Sequence, residues 1–287
     1  PNGVIDGGIA IFAAGNEYAG NPAFPGAYSK CVCVSSVAAD FTPACYTDYG
    51  TLVTLSAPGG DLEYYGKIGE AEDEFWAETT EQKGAILSTM IQNGKPAYGY
   101  MEGTSMACPH VSGVAALGLS YAVKQHRHYR AADFVSLMKR SVKDLDGYYT
   151  GGATKTYYMN HTTVGASPEI VSLSKYIGKM GTGLIDAVQL LNNIKNKENS
   201  SDMKLPNVYI GLEKTTTLNL PSYFEGVESG YTCSVADGHV ASATITGTTL
   251  TVKGLAVGST TLTVSVGGKQ QTVTVIVRKA ANNNGWM

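Results

Sequence analysis

The 287-residue sequence predicts an α/β domain followed by a small all-β domain, on three observations. Short apolar runs such as residues 9–14 stop at turn residues, which is typical of buried parallel strands. Residues 130–142 and 186–194 each place their apolar side chains on one helical face. After residue 203, short runs of alternating apolar and polar residues predict the strands of a β-sandwich.

A serine lies behind a glycine turn in residues 103–111, GTSMACPHV, at the start of a run of small residues. Gly103 permits unusual backbone angles, and Pro109 is tolerated in the first turn of a helix. Ser105 is therefore predicted at a helix N-terminus, where free N–H groups favour negative charge. Such a position suits a nucleophile whose reaction develops an oxyanion. The alternative is a buried helix that merely begins with Thr-Ser as its caps.

An amide side chain follows the predicted strand in residues 9–17, IAIFAAGNE. In open α/β sheets, ligands bind outside the carboxyl ends of the strands. Asn16 is thus placed where a substrate would lie, although a turn residue after a strand explains it equally simply.

Together these two stretches resemble the nucleophile and oxyanion-hole motifs of the subtilisin-like serine proteases. The resemblance implies that Ser105 attacks the scissile carbonyl and that Asn16 and the Ser105 N–H hold the oxyanion. Residues 23–34, 52–59 and 181–187 match further family segments in the expected order. The likeness covers roughly residues 4–195 and implies a parallel sheet with helices on both faces, its N-terminal part absent.

The same resemblance implies a substrate-binding surface on two loops. Its residues are Ala13, Ala14, Gly15 and Glu17 beside Asn16, and Ala23, Phe24, Pro25 and Gly26 in the wall of the primary specificity pocket. The implied activity is peptide-bond hydrolysis of proteins or peptides through an acyl-enzyme on Ser105, with no cofactor and no metal. The family also implies a secreted or cell-surface protein.

All histidines follow the predicted nucleophile: His110, His126, His128, His161 and His239. In the family the triad runs Asp, His, Ser along the chain. We therefore expect the triad Asp and His, with the first strands of the sheet, in an upstream half of the same catalytic domain. This chain would then be the C-terminal part of a longer protein, or a truncated and inactive binding scaffold. His126 and His128 are expected to end a helix in solvent.

Composition limits the classes of partner that this chain is expected to bind. The net charge is −3 without a long basic block, which argues against nucleic-acid binding. No apolar run approaches the length of a membrane span, so none is predicted. Of the five cysteines, Cys108 is expected in the core, and a bridge from Cys31 or Cys33 to Cys45 is left open.

Two insertions interrupt the family pattern. Residues 61–83 hold eight acidic residues and two lysines, which suits a solvated loop, a lid that prefers basic substrates, or, given the irregular spacing, less readily a calcium site. Residues 147–181 are rich in Gly, Thr and Tyr and predict an irregular surface insertion, either packed or in contact with substrate. Asn160 and Asn199 lie in weak glycosylation patterns.

These observations divide the chain into residues 1–195, a polar linker 196–203, a sandwich 204–279 and a loose tail 280–287. Residues 255–264, LAVGSTTLTV, resemble bacterial Ig-like domains, which implies a spacer or binding module. Gly267-Gly268 between two alternating runs predicts a β-hairpin.

Overall fold

The computed structural model describes residues 3–61, 84–157, 169–198 and 200–279. Most of the acidic insertion, both predicted glycosylation sites and the tail lie outside this part of the chain. Two compact units are present: a larger unit of residues 9–118 and 135–193, and a smaller unit of residues 1–8, 119–134 and 194–287. The boundary at residue 195 stays a prediction.

In chain order the strands are β1 (Ile5–Asp6), β2 (Ile11–Ala13), β3 (Val32–Val37), β4 (Leu55–Pro58), β5 (Ile86–Gln92), β6 (Lys95–Met101), β7 (Arg127–Arg130), β8 (Val142–Lys143), β9 (Thr154–Tyr157), β10 (Glu169–Ser172), β11 (Leu184–Ile185), β12 (Ser201–Asp202), β13 (Val208–Gly211), β14 (Thr215–Asn219), β15 (Thr232–Val235), β16 (Ala241–Thr246), β17 (Thr249–Gly254), β18 (Gly258–Val266) and β19 (Lys269–Arg278). The α-helices are α1 (Thr104–Lys124), α2 (Ala131–Arg140) and α3 (Ala187–Lys195).

A five-stranded sheet of order β2-β3-β4-β11-β8 forms the framework of the larger unit. Its first four strands are parallel, but β8 runs antiparallel to β11, so the sheet is mixed rather than purely parallel. β3 is buried along its whole length. β2 is only half-buried, which corrects the expectation of a strand covered on both faces. The reason is its position at the sheet edge, where β3 is its one partner among the described strands.

Helix α1 is buried along a single stripe formed by Ala107, Val111, Ala115 and Ala122. The opposite face of this helix is exposed, and Leu117 on it is 48% exposed, which does not fit the alternative of a wholly buried helix. By length and composition alone α1 could cross a membrane, with a hydropathy of 1.3 over its most apolar window. One such helix is weak evidence of a membrane span, because core helices of soluble proteins also meet this criterion.

The first amphipathic segment forms a shorter helix than predicted, and the second forms a helix of the predicted length, displaced by one residue. α2 ends at Arg140 and buries Phe134, while Val142 pairs with Ile185 in the mixed sheet. α3 begins after Asp186, whose Oδ1 accepts the Gln189 N–H at 2.9 Å as an N-cap.

The described parts of the insertion, residues 147–157 and 169–181, are packed rather than irregular. β9 and β10 pair as antiparallel strands, and Tyr149, Tyr157 and Tyr176 are fully buried or nearly so. The Tyr157 and Tyr176 hydroxyls are 3.1 Å apart, and Lys175 hydrogen-bonds the Tyr18 hydroxyl. This tyrosine cluster supports the packed interpretation of the insertion.

Two sheets enclose one hydrophobic core in the smaller unit. Their orders are β13-β19-β18-β15 and β14-β17-β16. The buried residues of this core run from Leu205 to Val277. Gly267 and Gly268 join β18 to β19 with φ angles of 53° and 80°, the left-handed pair that a two-residue hairpin turn requires. The predicted hairpin is therefore present.

A third sheet of the smaller unit, β1-β7-β12, contains residues expected in solvent. His128 lies in its central strand and is 3% exposed. Its Nδ1 is 2.8 Å from Gly3 O and its Nε2 is 3.0 Å from Asp6 Oδ2. The expectation of a solvated helix end was wrong for His128, because this residue lies in the middle strand of a sheet, whereas His126 lies partly buried in the turn that follows α1. Ser201 and Asp202, which were predicted within the linker, instead form β12 and pair with β7.

All five cysteines are free thiols. Cys33 packs with Ala14 and Val53, whereas Cys45 belongs to the core around the tyrosine cluster. The bridge left open in the sequence is therefore absent: Cys31 is a free thiol, and Cys33 and Cys45 belong to different cores. Cys108 is half-buried, and its thiol lies 3.6 Å from Ile11 O.

Candidate functional site

Ser105 occupies the first turn of α1, behind a glycine with a positive φ. Gly103 has φ 142°, and its carbonyl accepts the Met106 N–H at 2.9 Å as the helix begins. Its own N–H lies 2.9 Å from Gly59 O, which ties the start of the helix to the turn after β4. The Ser105 side chain is exposed. The Ser105 N–H belongs to the first-turn donors that have no partner within the helix.

Asn16 is fixed by its carbonyl oxygen, which leaves its amide nitrogen available as a donor. Asn16 Oδ1 accepts both the backbone N–H and the side-chain hydroxyl of Thr104, each at 2.8 Å. A Cβ built on Gly103 would lie 3.5 Å from Asn16 Nδ2 and 3.7 Å from Ser105 N. The two predicted oxyanion donors therefore border the same small space beside Gly103.

The sequence motifs gave no role to Thr104, although it directly precedes the predicted nucleophile. It is fully buried, and its hydroxyl also accepts the Gly15 N–H at 3.2 Å. One threonine thus connects the loop after β2 to the first turn of α1. The signal was its place in the GTS string, where only glycine and serine were given roles.

Asp48 holds the Asn16 loop from its other side and was also missed. Asp48 Oδ1 accepts the N–H groups of Glu17 at 3.0 Å and Ala19 at 2.8 Å, and its own N–H donates to Gly15 O at 3.0 Å. The Asn16 N–H donates to Glu17 Oε2 at 2.8 Å. Burial, together with the neighbouring Glu17 carboxyl, raises the pKa of Asp48 to about 6.

The two predicted substrate-binding loops lie side by side. The Ala23 N–H donates to Ala14 O at 2.6 Å. A Cβ on Gly26 would lie 2.8 Å from Ala13 O, so only glycine fits this approach. Phe24 precedes a cis peptide bond to Pro25 and is 79% exposed. The loops are therefore brought together with a large apolar side chain facing solvent.

His110 is the only histidine in the described part of the larger unit. It is exposed on α1, and its Nδ1 lies 2.8 Å from Met106 O, one turn back along the same helix. His126, His128 and His239 belong to the smaller unit, and His161 lies outside the described residues. The described residues also contain no group of three or more His, Cys, Asp or Glu that could hold a metal.

A groove of about 450 Å³ runs beside the exposed face of α1. Its apolar lining is formed by Ile86, Leu87, Met106, Pro109, Val114 and Leu117. Leu87 is 52% exposed, so the groove is an open apolar surface next to the turn that carries Ser105.

Comparison with known proteins agrees with the sequence motifs. The subtilase family (peptidase S8) matches residues 4–165, more than half of the chain. Halolysin from Haloferax mediterranei is 35% identical over 137 residues, which are 48% of this chain and 20% of halolysin. The extracellular basic protease of Dichelobacter nodosus is 24% identical over 201 residues, 70% of this chain and 26% of that protein.

Among solved structures, a protease from Pseudoalteromonas arctica aligns with a TM-score of 0.43 and 25% identity, over 66% of this chain and 43% of that chain. The chain spans 20% to 26% of the length of the two curated relatives above. On the match over residues 4–165, the chain belongs to the subtilase family of serine proteases.

Proposed function

We propose that this chain carries the nucleophile and oxyanion hole of a serine endopeptidase. The observation that supports this most directly is the arrangement around Gly103, where Asn16 Nδ2 and Ser105 N border one space beside an exposed serine. Ser105 Oγ attacks the scissile carbonyl, and the two N–H donors stabilise the oxyanion of the tetrahedral intermediate. Loss of the amine leaves an acyl-enzyme on Ser105, which water then hydrolyses.

The general base is proposed to come from an upstream half of the same catalytic domain. His110 is directed at its own helix, and the family order places the triad His before the serine. The open apolar groove along α1 is the proposed contact surface for that upstream half. Its lining would be desolvated by the contact, and burial of apolar area is the main favourable term in such association.

The proposed substrates are proteins or peptides, bound along the loops at residues 13–17 and 23–26. Several relatives are named extracellular proteases, which supports a secreted protein. The two sheets that enclose the C-terminal core suit the proposed Ig-like module, which would serve as a spacer or binding domain.

The test is peptide hydrolysis by the purified 287-residue chain, with Ser105→Ala as its matched control. We expect no turnover above the control, because loss of one triad member removes most of the catalysis. Protease-like turnover that disappears in Ser105→Ala would show that a base exists within the chain.

The second arm joins the chain to its natural upstream segment. Activity should then appear and be lost with Ser105→Ala. If the joined protein folds but remains inactive, while it still binds peptides, the inactive binding scaffold becomes the better assignment.

A further inference from the structure

We propose that Asp48 is a positioning residue: it shares one proton with Glu17, and this proton sets the arrangement of the loop that carries Asn16. The inference deepens the proposed function, since it rests on the role of Asn16 as an oxyanion donor. Neither Asp48 nor a link between these two carboxyl groups is indicated by the sequence motifs.

The geometry brings the two carboxyl groups to the same side of Gly15. A Cβ built on Gly15 would lie 2.2 Å from Asp48 Oδ2 and 2.7 Å from Glu17 Oε2. Since an ionised carboxylate can only accept, a hydrogen bond between these two neighbouring groups would require a proton on one of the two oxygens.

Both carboxyl groups also hold backbone N–H groups of the loop. Asp48 Oδ1 accepts those of Glu17 and Ala19, and Glu17 Oε2 accepts that of Asn16. The backbone N–H groups of Asn16, Glu17 and Ala19 are thus each held by one of the two carboxyl groups. Loss of the shared proton leaves two negative charges that repel each other, and Glu17, which is exposed, is the group free to move away.

The surroundings offer little to neutralise a second charge. Asp48 is 1% exposed. The ion pairs found among the described residues include neither Asp48 nor Glu17. The titratable group facing Asp48 from β3 is Cys33, whose pKa burial raises to about 12, so this thiol stays neutral. Burial and Glu17 together raise the pKa of Asp48 to about 6, which places loss of the proton in the mildly acidic range.

Backbone and side-chain amide resonances of the 287-residue chain, followed by ¹⁵N NMR against pH, test this directly. The N–H groups of Asn16, Glu17 and Ala19, and the Asn16 side-chain amide, should shift together with one midpoint near 6. Asp48→Asn should abolish this shared titration, because an amide in this position donates permanently to Glu17 while its oxygen still accepts the two backbone N–H groups. Asp48→Ala should instead shift all of these resonances at every pH.

Asp144→Asn is the matched control, because Asp144 also accepts backbone N–H groups in this unit, those of Asp146 and Gly147, and lies in an exposed turn. It should leave the midpoint near 6 unchanged. If Asp48→Asn does not fold, Glu17→Gln at an exposed position replaces it. Asp48 stays titratable in this variant, but the glutamine amide can donate to its carboxylate and favour the charged form, so the midpoint should fall below 6. A midpoint near 6 that survives in either variant, or one felt by the backbone N–H of residue 17 but not by the Asn16 side chain, would overturn the proposal.

The NMR result is independent of proteolysis. If the resonances titrate together but proteolysis does not require Asn16, the shared proton is supported and only the proposed function is refuted.

Discussion

At the scale of single residues, the Asn16 side chain is held in place by its contacts with Thr104. Thr104 occupies both lone-pair directions of the Asn16 carbonyl with its N–H and its hydroxyl. The amide can then present only its Nδ2 hydrogens toward the Ser105 turn. A donor fixed before the reaction stabilises the developing charge without reorganisation.

Asn16→Ala should lower turnover with substrate affinity largely unchanged, because the amide acts mainly on the transition state. The expected loss is on the order of 10² to 10³, a value known from subtilisin itself. Steady-state kinetics of the chain joined to its upstream segment measure it. A change confined to KM would contradict the role assigned to Asn16.

Thr104→Val should cost less, because the backbone N–H to Asn16 remains. The hydroxyl makes two neutral hydrogen bonds, one to Asn16 Oδ1 and one from the Gly15 N–H, and their removal is worth about 2 kcal/mol, or roughly 30-fold in kcat. Thr104→Ser keeps the hydroxyl and serves as the control, with kcat close to that of the parent. Equal losses in both variants would mean that the threonine methyl, and not its hydroxyl, supports the site.

The raised pKa of Asp48 predicts a stability that falls as pH rises. The folded chain holds this proton up to a pKa of about 6, whereas the unfolded chain releases it near the ordinary value of about 4. Between these values the folded state binds more protons, so the free energy of unfolding decreases with increasing pH. Urea unfolding at mildly acidic and at neutral pH measures this effect. From the lower to the higher pH, the free energy of unfolding of the parent should fall relative to that of Asp48→Asn. A difference that stays constant with pH would contradict this assignment.

Single residues were predictable where they belong to a motif with a chemical requirement. Ser105 and Asn16 stand out because their two motifs together resemble one family, although each residue alone also fits a cap or a turn. Asp48 could not be found in this way, since its partners are backbone N–H groups 29 and 31 residues away, and only the folded loop brings them together.

At the scale of elements, local turn chemistry was predictable and burial was not. The Gly267-Gly268 turn follows from its own two residues, because only glycine adopts left-handed angles freely. The exposure of α1 and the half-burial of β2 depend on which neighbours cover them. Residues that cover an element but are distant from it in sequence cannot be identified from the pattern of that element alone.

Gly268→Ala tests the hairpin. Its φ of 80° would force a side chain into the left-handed region, at a cost of about 1 to 2 kcal/mol in the free energy of unfolding. Gly238→Ala is the control, since a Cβ there meets nothing within 4 Å and its φ is not positive. Chemical denaturation of both variants should destabilise only the first; equal midpoints would mean that the turn relaxes to another type.

At the scale of the whole molecule, the two-sheet core near the C-terminus is local to its own segment. All of its fully buried residues lie between Leu205 and Val277. Gln271 is one link to residues before 204, since its Nε2 donates to Met203 O at 3.1 Å. Residues 204–279 should therefore fold as a soluble monomer with a cooperative unfolding transition, measured by circular dichroism and size-exclusion chromatography. An unfolded fragment would show that this core needs the preceding strands.

Residues 1–195 should behave in the opposite way. β2 has an unpaired side beyond β3 among the described strands, and removal of β12 would also leave β7 without its antiparallel partner. Unpaired N–H and C=O groups on apolar strands template pairing with other chains. We expect this fragment to dimerise or aggregate in size-exclusion chromatography, and Phe12→Lys at the β2 edge to reduce the effect. A monomeric 1–195 fragment would mean that β2 is covered by other means, and it would weaken the expectation that the first strands of the sheet lie in an upstream half.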